Sequence, residues 1–355
     1  MKREFSLLKK FLYSLLLFVL LASVFALLNL YKPLQTLKVN KSLVGDVTLI
    51  KSDGHTFRDL NKNNLLDAYE DHRLPSKIRA NDLIDRMTIE EKVGQMFHPP
   101  FTLNPDLLML VYEIAIRGNK LTEAKIAFDH ITHFNLYGNP SPTELAKRIN
   151  YFQKIASKTR LGVPVTISSD PIHEVPKGGG VASFSVDGYS KWPSQLGFAA
   201  TNDPSIIQNF AEIAREEYLA TGIRTALHPM SDLATEPRWA RNFGTFGSNA
   251  ELSSKMTLAY MEGFQGKSIS EKSVHTMVKH FPGGGPQENG LDPHLFSGRN
   301  QSYSGNNFNY HLLPFKDAIK NNLKVIMPYY GIPVGITNED VAMGYNKYIL
   351  SDLLR

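Results

Sequence analysis

The sequence contains no cysteine. That excludes a disulfide framework, a thiolate metal site, a cysteine nucleophile and a lipid-modified N-terminal cysteine. It leaves the compartment open, because a secreted protein can do without disulfides. No basic stripe with interleaved aromatics is present, which argues against nucleic acid as a partner. Of the formal charge of +5, the first ten residues carry +3 and the other 345 only +2. There is no internal repeat, and no serine sits in a nucleophile elbow. His130-x-x-His133 lacks the glutamate of a zinc protease. What is present is a globular composition, 42% hydrophobic and 21% charged over 355 residues. That is enough apolar mass for a sizeable core in one large domain or two or three ordinary ones, so disorder and collagen-like repeats are out.

The N-terminus has the form of a targeting segment. A basic stretch ending in Lys9 and Lys10 precedes an uncharged apolar run from Phe11 to Tyr31. Such a pair signals export or membrane insertion, and the run is long enough to span a bilayer. Val24-Phe25-Ala26 offers a weak small-residue cleavage site. The reading is a signal peptide or membrane anchor over residues 1–31, with the rest of the chain exported or anchored facing outward.

Within an N-terminal segment over residues 32–75, residues 59–70 read DLNKNNLLDAYE. Asp59, Asn61 and Asn63 fall at positions 1, 3 and 5 of an EF-hand-type loop. Leu65 offers a carbonyl at position 7, Asp67 stands at position 9 and Glu70 at position 12. A hard cation such as Ca2+ needs several oxygen ligands, and this spacing supplies them. Asn64 replaces the usual glycine, and asparagine tolerates the left-handed turn better than most residues. The alternative is an Asx-rich turn that binds nothing.

From about Ser76 to Arg355 helical patterns alternate with short strand-like runs. Thr88 and Glu91 form a capping box. Strand candidates lie near residues 93–97, 131–138, 163–168, 223–230, 274–281 and 324–331. The clearest helices cover 204–222, 250–266 and 309–322. Such alternation indicates parallel βαβ units. Asp170, Asp232, Arg241, Lys279, His280 and Tyr330 cluster just after strands. Polar side chains there suit the mouth of a β/α barrel, and equally the ligand crevice of a doubly wound sheet. No glycine-rich phosphate fingerprint follows the first strand, which weakens a dinucleotide reading. The long Gly-, Pro-, Asn- and Ser-rich stretch from Phe281 to Asn307 is of the kind that is functional or disordered.

Two stretches carry the most chemistry. Lys279-His280 in KHFPGGG puts an ammonium beside an imidazole, able to hydrogen-bond neighbouring sugar hydroxyls. EPRWARN (236–242) sets Arg241 near a tryptophan, and a guanidinium fork suits paired hydroxyls or carboxylates. Each alone has a bland reading, an ordinary salt bridge or a surface ion pair. Together and in order with MTIEEKVGQMF (87–97), VTISSDPIHEV (165–175), WPSQLGFAATNDP (192–204), VKHFPGGGPQENGLDPH (278–294) and IMPYYG (326–331), the chain resembles glycoside hydrolase family 3, the β-glucosidase family. The resemblance implies a TIM-type (β/α)8 barrel over residues 76–355 and retaining hydrolysis of terminal β-D-glucosyl residues from a β-glucoside or oligosaccharide. It implies sugar-binding roles for Asp170, Arg241, Lys279 and His280, and a tyrosine near the nucleophile at Tyr330. No catalytic cofactor is implied, and the calcium-type loop looks like one in some bacterial members. Ala240 departs from the usual glycine, and Ser248-Asn249 from a common acidic pair.

By the same resemblance the chain ends at Arg355 before the strand that carries the nucleophilic aspartate. Six strand candidates agree with an incomplete barrel, since closure needs eight. Residues 1–355 alone are expected to be inactive, and a split gene whose other half completes the barrel is one reading. A non-catalytic carbohydrate-binding remnant is another. One subgroup places an Asp-x-His acid/base dyad after the Lys-His motif, and Asp292-Pro293-His294 has that form. That motivates an N-acetyl-β-glucosaminidase alternative, although an ordinary loop contact is the preferred account of Asp292 and His294.

Overall fold

The computed structural model describes residues 34–103, 121–174 and 186–355, with a few isolated positions before residue 34. The apolar run 11–31 and the glycine loop 178–180 therefore fall largely or wholly outside the described residues. Among those described, no helix is long and apolar enough to cross a membrane. The chain divides into two compact units. One comprises residues up to Phe134 plus Asn150–Val165, and the other Asn135–Ile149 plus Thr166–Arg355.

The strands are β1 (Thr48–Ser52), β2 (His55–Asp59), β3 (Pro100–Thr102), β4 (His133–Tyr137), β5 (Thr166–Ser169), β6 (Ile223–Ala226), β7 (His275–Phe281), β8 (Asn300–Gln301), β9 (Val325–Pro328) and β10 (Ile332–Pro333). The helices are α1 (Ser76–Arg86), α2 (Ile89–Gly94), α3 (Thr122–Phe128), α4 (Pro142–Ser157), α5 (Gln195–Ala200), α6 (Pro204–Thr221), α7 (Ala250–Gln265) and α8 (Phe308–Lys320). Six strands form one sheet in the order β3-β4-β5-β6-β7-β9. The pairs β5–β6, β6–β7 and β7–β9 are parallel. Strands in sequence order with helices between them are what an incomplete (β/α) barrel gives.

In the first unit β1 and β2 form an antiparallel hairpin. Its turn is Asp53-Gly54, both with positive φ, the geometry that a two-residue hairpin loop favours. β2 runs straight into the 59–70 loop. There Asp59 accepts the backbone N–H groups of Asn63 and Asn64, and Glu70 accepts those of Leu60 and Asp67. The side-chain amides of Asn61 and Asn63 both donate to Asp67. Asn64 takes the left-handed conformation expected of it, with φ 60°. Lys62 Nζ donates to the carbonyls of Leu60, Ser157 and Thr159 at 2.5, 2.8 and 2.5 Å. Phe101 and Phe152 pack edge to face at 5.4 Å in this unit's core.

The strand expected at 93–97 does not form. The Thr88–Glu91 capping box is present and starts α2, which runs through Val93 and Gly94. Turns carry the chain on through Phe97. Gly94 lies so close to the carbonyls of Asp129 and His130 that a Cβ would sit 2.5 Å from each. The first strand of the sheet is instead Pro100–Thr102, so the count of six holds with a different first member. The capping signal outweighed a short apolar run whose period favours neither state.

The second unit follows the sequence more closely. Asp203 caps α6 through the Ser205 N–H, Pro204 occupies its first turn, and Gly222 ends it at φ 90°. Asn249 caps α7 by accepting from Leu252 N–H, which gives the Ser248-Asn249 departure a local purpose. A core of Trp239, Met261, Val278, Phe281, Leu312 and Phe315 fills the space beside β7 and β9.

Candidate active site

The site forms at the C-terminal ends of β5, β6, β7 and β9, where a parallel sheet presents side chains that its helices do not cover. Asp170 follows β5 directly. Lys279 and His280 are the last polar residues of β7, in a strand buried almost throughout. Lys279 Nζ meets Asp170 Oδ1 at 2.7 Å, and the ammonium is only 3% exposed. A charge this deep must be paired, so Asp170 and Lys279 are bound to each other's presence.

Asp232, after β6, is fully buried and organises His280. It accepts His280 Nδ1–H at 2.6 Å, the His280 backbone N–H at 3.2 Å and the Gly284 N–H. Burial pushes the Asp232 carboxyl up, but His280 and these N–H donors outweigh it and hold the group below its ordinary value. The His280 imidazole is pushed down to about 4 by burial, with Arg241 and Lys279 adding to the effect against the pull of Asp232. At neutral pH the pair is thus a carboxylate and a neutral imidazole with its proton on Nδ1. The bare Nε2 faces Arg241 Nη1 at 3.4 Å. The tyrosine closest to this imidazole is Tyr329. Its ring lies 4.4 Å from that of His280 and is buried.

The KHFPGGG loop closes over this group. A Cβ on Gly284 would meet the Tyr329 ring at 2.5 Å, and one on Gly285 would lie 1.7 Å from the Leu233 carbonyl oxygen. No other residue fits either position. The stretch 281–307 is built from short turns and the strand β8, and Tyr303 Oη donates to the Gly283 carbonyl at 2.6 Å.

The expected sugar-binding residues separate into two groups. Asp170, Lys279, His280 and Arg241 are linked through the contacts above. Tyr330 is 52% exposed and joins the second group, stacking on Tyr329 at 5.8 Å and edge-on to His294 at 5.0 Å. Burial raises the Tyr137 phenol at the end of β4, and Asp170 and Tyr330, one from each group, add to the effect. Asp292 and His294 do meet: His294 Nδ1 bonds Asp292 Oδ1, and Trp239 Nε1 donates to Asp292 Oδ2 at 2.9 Å. Burial raises the Asp292 carboxyl, but these donors win and keep it well below the usual carboxylate range. Sequence reasoning placed Asp232 after its strand without seeing that it holds His280; it missed Tyr329, and it noted the tryptophan at 239 without its bond to Asp292.

The arrangement brings to one end of the sheet an anion paired with an ammonium, and an imidazole whose Nε2 faces a guanidinium. Such a set suits a polyhydroxylated ligand, whose hydroxyls both donate and accept. The sequence profile described as the glycosyl hydrolase family 3 N terminal domain matches residues 88–355. The chain is 49% identical over 279 residues to Beta-glucosidase C of Emericella nidulans, covering 78% of this chain and 44% of that protein. It is 40% identical over 316 residues to the Periplasmic beta-glucosidase/beta-xylosidase of Dickeya chrysanthemi, covering 86% and 48%. It thus spans about half the length of these curated relatives. Its fold is similar to that of a family 3 beta-N-acetylglucosaminidase from Paenibacillus, with TM-score 0.61 at 24% identity over 76% of this chain and 47% of that one. A beta-glucosidase from Listeria innocua, solved with glucose, gives TM-score 0.59 at 23% identity over 78% and 35%.

Proposed function

The chain belongs to glycoside hydrolase family 3, and from that premise we propose that it forms the sugar-binding barrel portion of an exported, retaining β-glucosidase. The observation that supports this most is the Asp170–Lys279 pair standing beside the Asp232–His280–Arg241 chain at the ends of adjacent parallel strands. Asp170, Arg241, Lys279 and His280 hold the hydroxyls of the terminal non-reducing glucosyl residue. Retaining hydrolysis needs a carboxylate free to attack the anomeric carbon and an acid for the leaving oxygen. The carboxylates described at the site are already engaged, Asp170 by Lys279, Asp232 by His280 and Gly284, Asp292 by His294 and Trp239. In this reading residues 1–355 bind glucose but do not hydrolyse, and the nucleophile comes from further sequence, continuous or in trans. Titration calorimetry with glucose should give saturable binding, and an aryl β-glucoside should be left intact. Turnover by the purified chain overturns this division, and absence of glucose binding overturns the pocket.

The Asp292–His294 contact favours a second reading, N-acetyl-β-glucosaminides with this dyad as acid and base. Tighter binding of N-acetylglucosamine than of glucose would select it. Export is supported by the basic and apolar N-terminus and by relatives named periplasmic. Whether residues 1–31 are cleaved or retained as an anchor belongs to the same proposal.

The 59–70 loop is proposed to take a structural Ca2+. Its donors are of the right kind, Asp59, Asn61, Asn63, Asp67, Glu70 and the Leu65 carbonyl, and the Asn64 turn is formed. Against this, the loop's carboxylates already accept its own N–H groups, and among the described residues no three His, Asp or Glu side chains group as a metal site. Added Ca2+ is expected to raise the thermal midpoint by about a few degrees. An unchanged midpoint would mean that the hydrogen-bonded loop needs no ion.

A further inference from the structure

Behind Asp170 lies a row of three buried side chains that the sugar pocket does not use directly. Tyr218 is on α6, His228 follows β6 and Tyr260 is on α7, and none is more than 2% exposed. Tyr218 Oη lies 3.2 Å from the Asp170 backbone oxygen and 2.9 Å from His228 Nε2. Tyr260 Oη lies 2.5 Å from His228 Nδ1. With the Tyr218 bond to the Asp170 carbonyl as the starting point, donor counting directs the rest of the row; the Ser169 hydroxyl also acts on the Tyr218 phenol. A carbonyl oxygen only accepts, so the single proton of Tyr218 goes to Asp170. Tyr218 must then accept from His228, which puts the imidazole proton on Nε2. Burial, with Lys279 and His173 adding to it, holds His228 well below its ordinary value, so the ring is neutral. Its Nδ1 is therefore bare and accepts from Tyr260.

We propose that this one-way row, Tyr260 to His228 to Tyr218 to the Asp170 carbonyl, is a positioning device that fixes Asp170 for its contact with Lys279 and the sugar. Ser169 Oγ donates to the same carbonyl at 2.8 Å, so the Asp170 backbone is held by two hydroxyls. The carboxylate on that backbone reaches Lys279 at 2.7 Å, a distance that a small rotation of the main chain would lengthen. The functional consequence rests on the sugar-pocket reading; the direction of the bonds does not.

Nitrogen–proton correlation spectra of the labelled chain test the direction without any sugar, with His228 assigned by loss of its signals in His228→Gln. The expected result is a protonated Nε2 and a bare, hydrogen-bonded Nδ1. A proton on Nδ1 overturns the row. Tyr218→Phe deletes only the hydroxyl and is expected to weaken glucose binding about five- to tenfold, the loss of one hydrogen bond's worth of alignment. His228→Gln keeps one donor and one acceptor and should retain more affinity than His228→Phe. Unchanged affinity in Tyr218→Phe, with wild-type binding intact, overturns the positioning role. If the wild type binds no sugar while the spectrum shows the expected tautomer, the sugar-pocket reading has failed, and the role assigned to the row falls with it.

Discussion

Asp170→Ala is expected to reduce glucose affinity by at least about a hundredfold. In the proposed pocket the carboxylate accepts from two hydroxyls, and each hydrogen bond to a charged group contributes about 1.5–3 kcal/mol. Losing both amounts to roughly two to four powers of ten in affinity. The substitution also leaves the buried Lys279 ammonium without its partner. Breaking such a pair from one side costs about 3–5 kcal/mol of stability. Asp170→Asn separates the two effects, because it keeps an oxygen near Lys279 and loses only the charge. Calorimetric titration of both variants, each first checked for a cooperative unfolding transition, decides the matter. Near-wild-type affinity in Asp170→Ala would remove Asp170 from the sugar site.

Asp232→Ala should destabilise the chain by about 3 kcal/mol or more, measured by urea unfolding, since each buried donor left unpaired costs about 1–3 kcal/mol. The variant strands three donors in a fully buried place: the Nδ1–H and backbone N–H of His280 and the N–H of Gly284. A loss below about 1 kcal/mol would mean that water or a rearranged loop replaces the carboxylate. The wild type should also show a particular acid response. His280 titrates near 4 when folded against an ordinary 6.5. Between those values the unfolded chain takes up a proton that the folded one refuses, so the stability contributed by the neutral ring is present above about 6.5 and lost as pH falls toward 4. Asp232 adds a second loss below its ordinary value, since its folded carboxyl is held lower still.

Much of this was legible in the residues. Alternating strand and helix patterns from residue 131 onward gave five of the six strands of the sheet, helped at β6 and β7 by Gly222 and Gly266, which end the preceding helices. Thr88 and Glu91 announced α2, yet the apolar VGQMF run was read as a strand although Val93, Met96 and Phe97 are exposed. The β1–β2 hairpin was overlooked although Asp53-Gly54 is the turn signal for it. At the site, Asp170, Lys279 and His280 could be found because each is a polar residue ending an apolar strand. Which of two adjacent tyrosines packs on His280 depends on the path of the chain after β9, and no periodicity reports that. The directed row behind Asp170 was invisible for a similar reason, since Tyr218, His228 and Tyr260 come together only when α6, β6 and α7 do.

Lys62 has a topological consequence. Its ammonium joins a residue of the N-terminal loop to carbonyls 95 and 97 positions further along. It thereby closes a loop of nearly a hundred residues with one cation. A covalent bridge would also restrict the unfolded ensemble, whereas these hydrogen bonds act only in the folded chain, where they pin the loop to the end of α4. In a chain without cysteine, the first unit thus has a noncovalent counterpart to the staple that oxidation cannot supply.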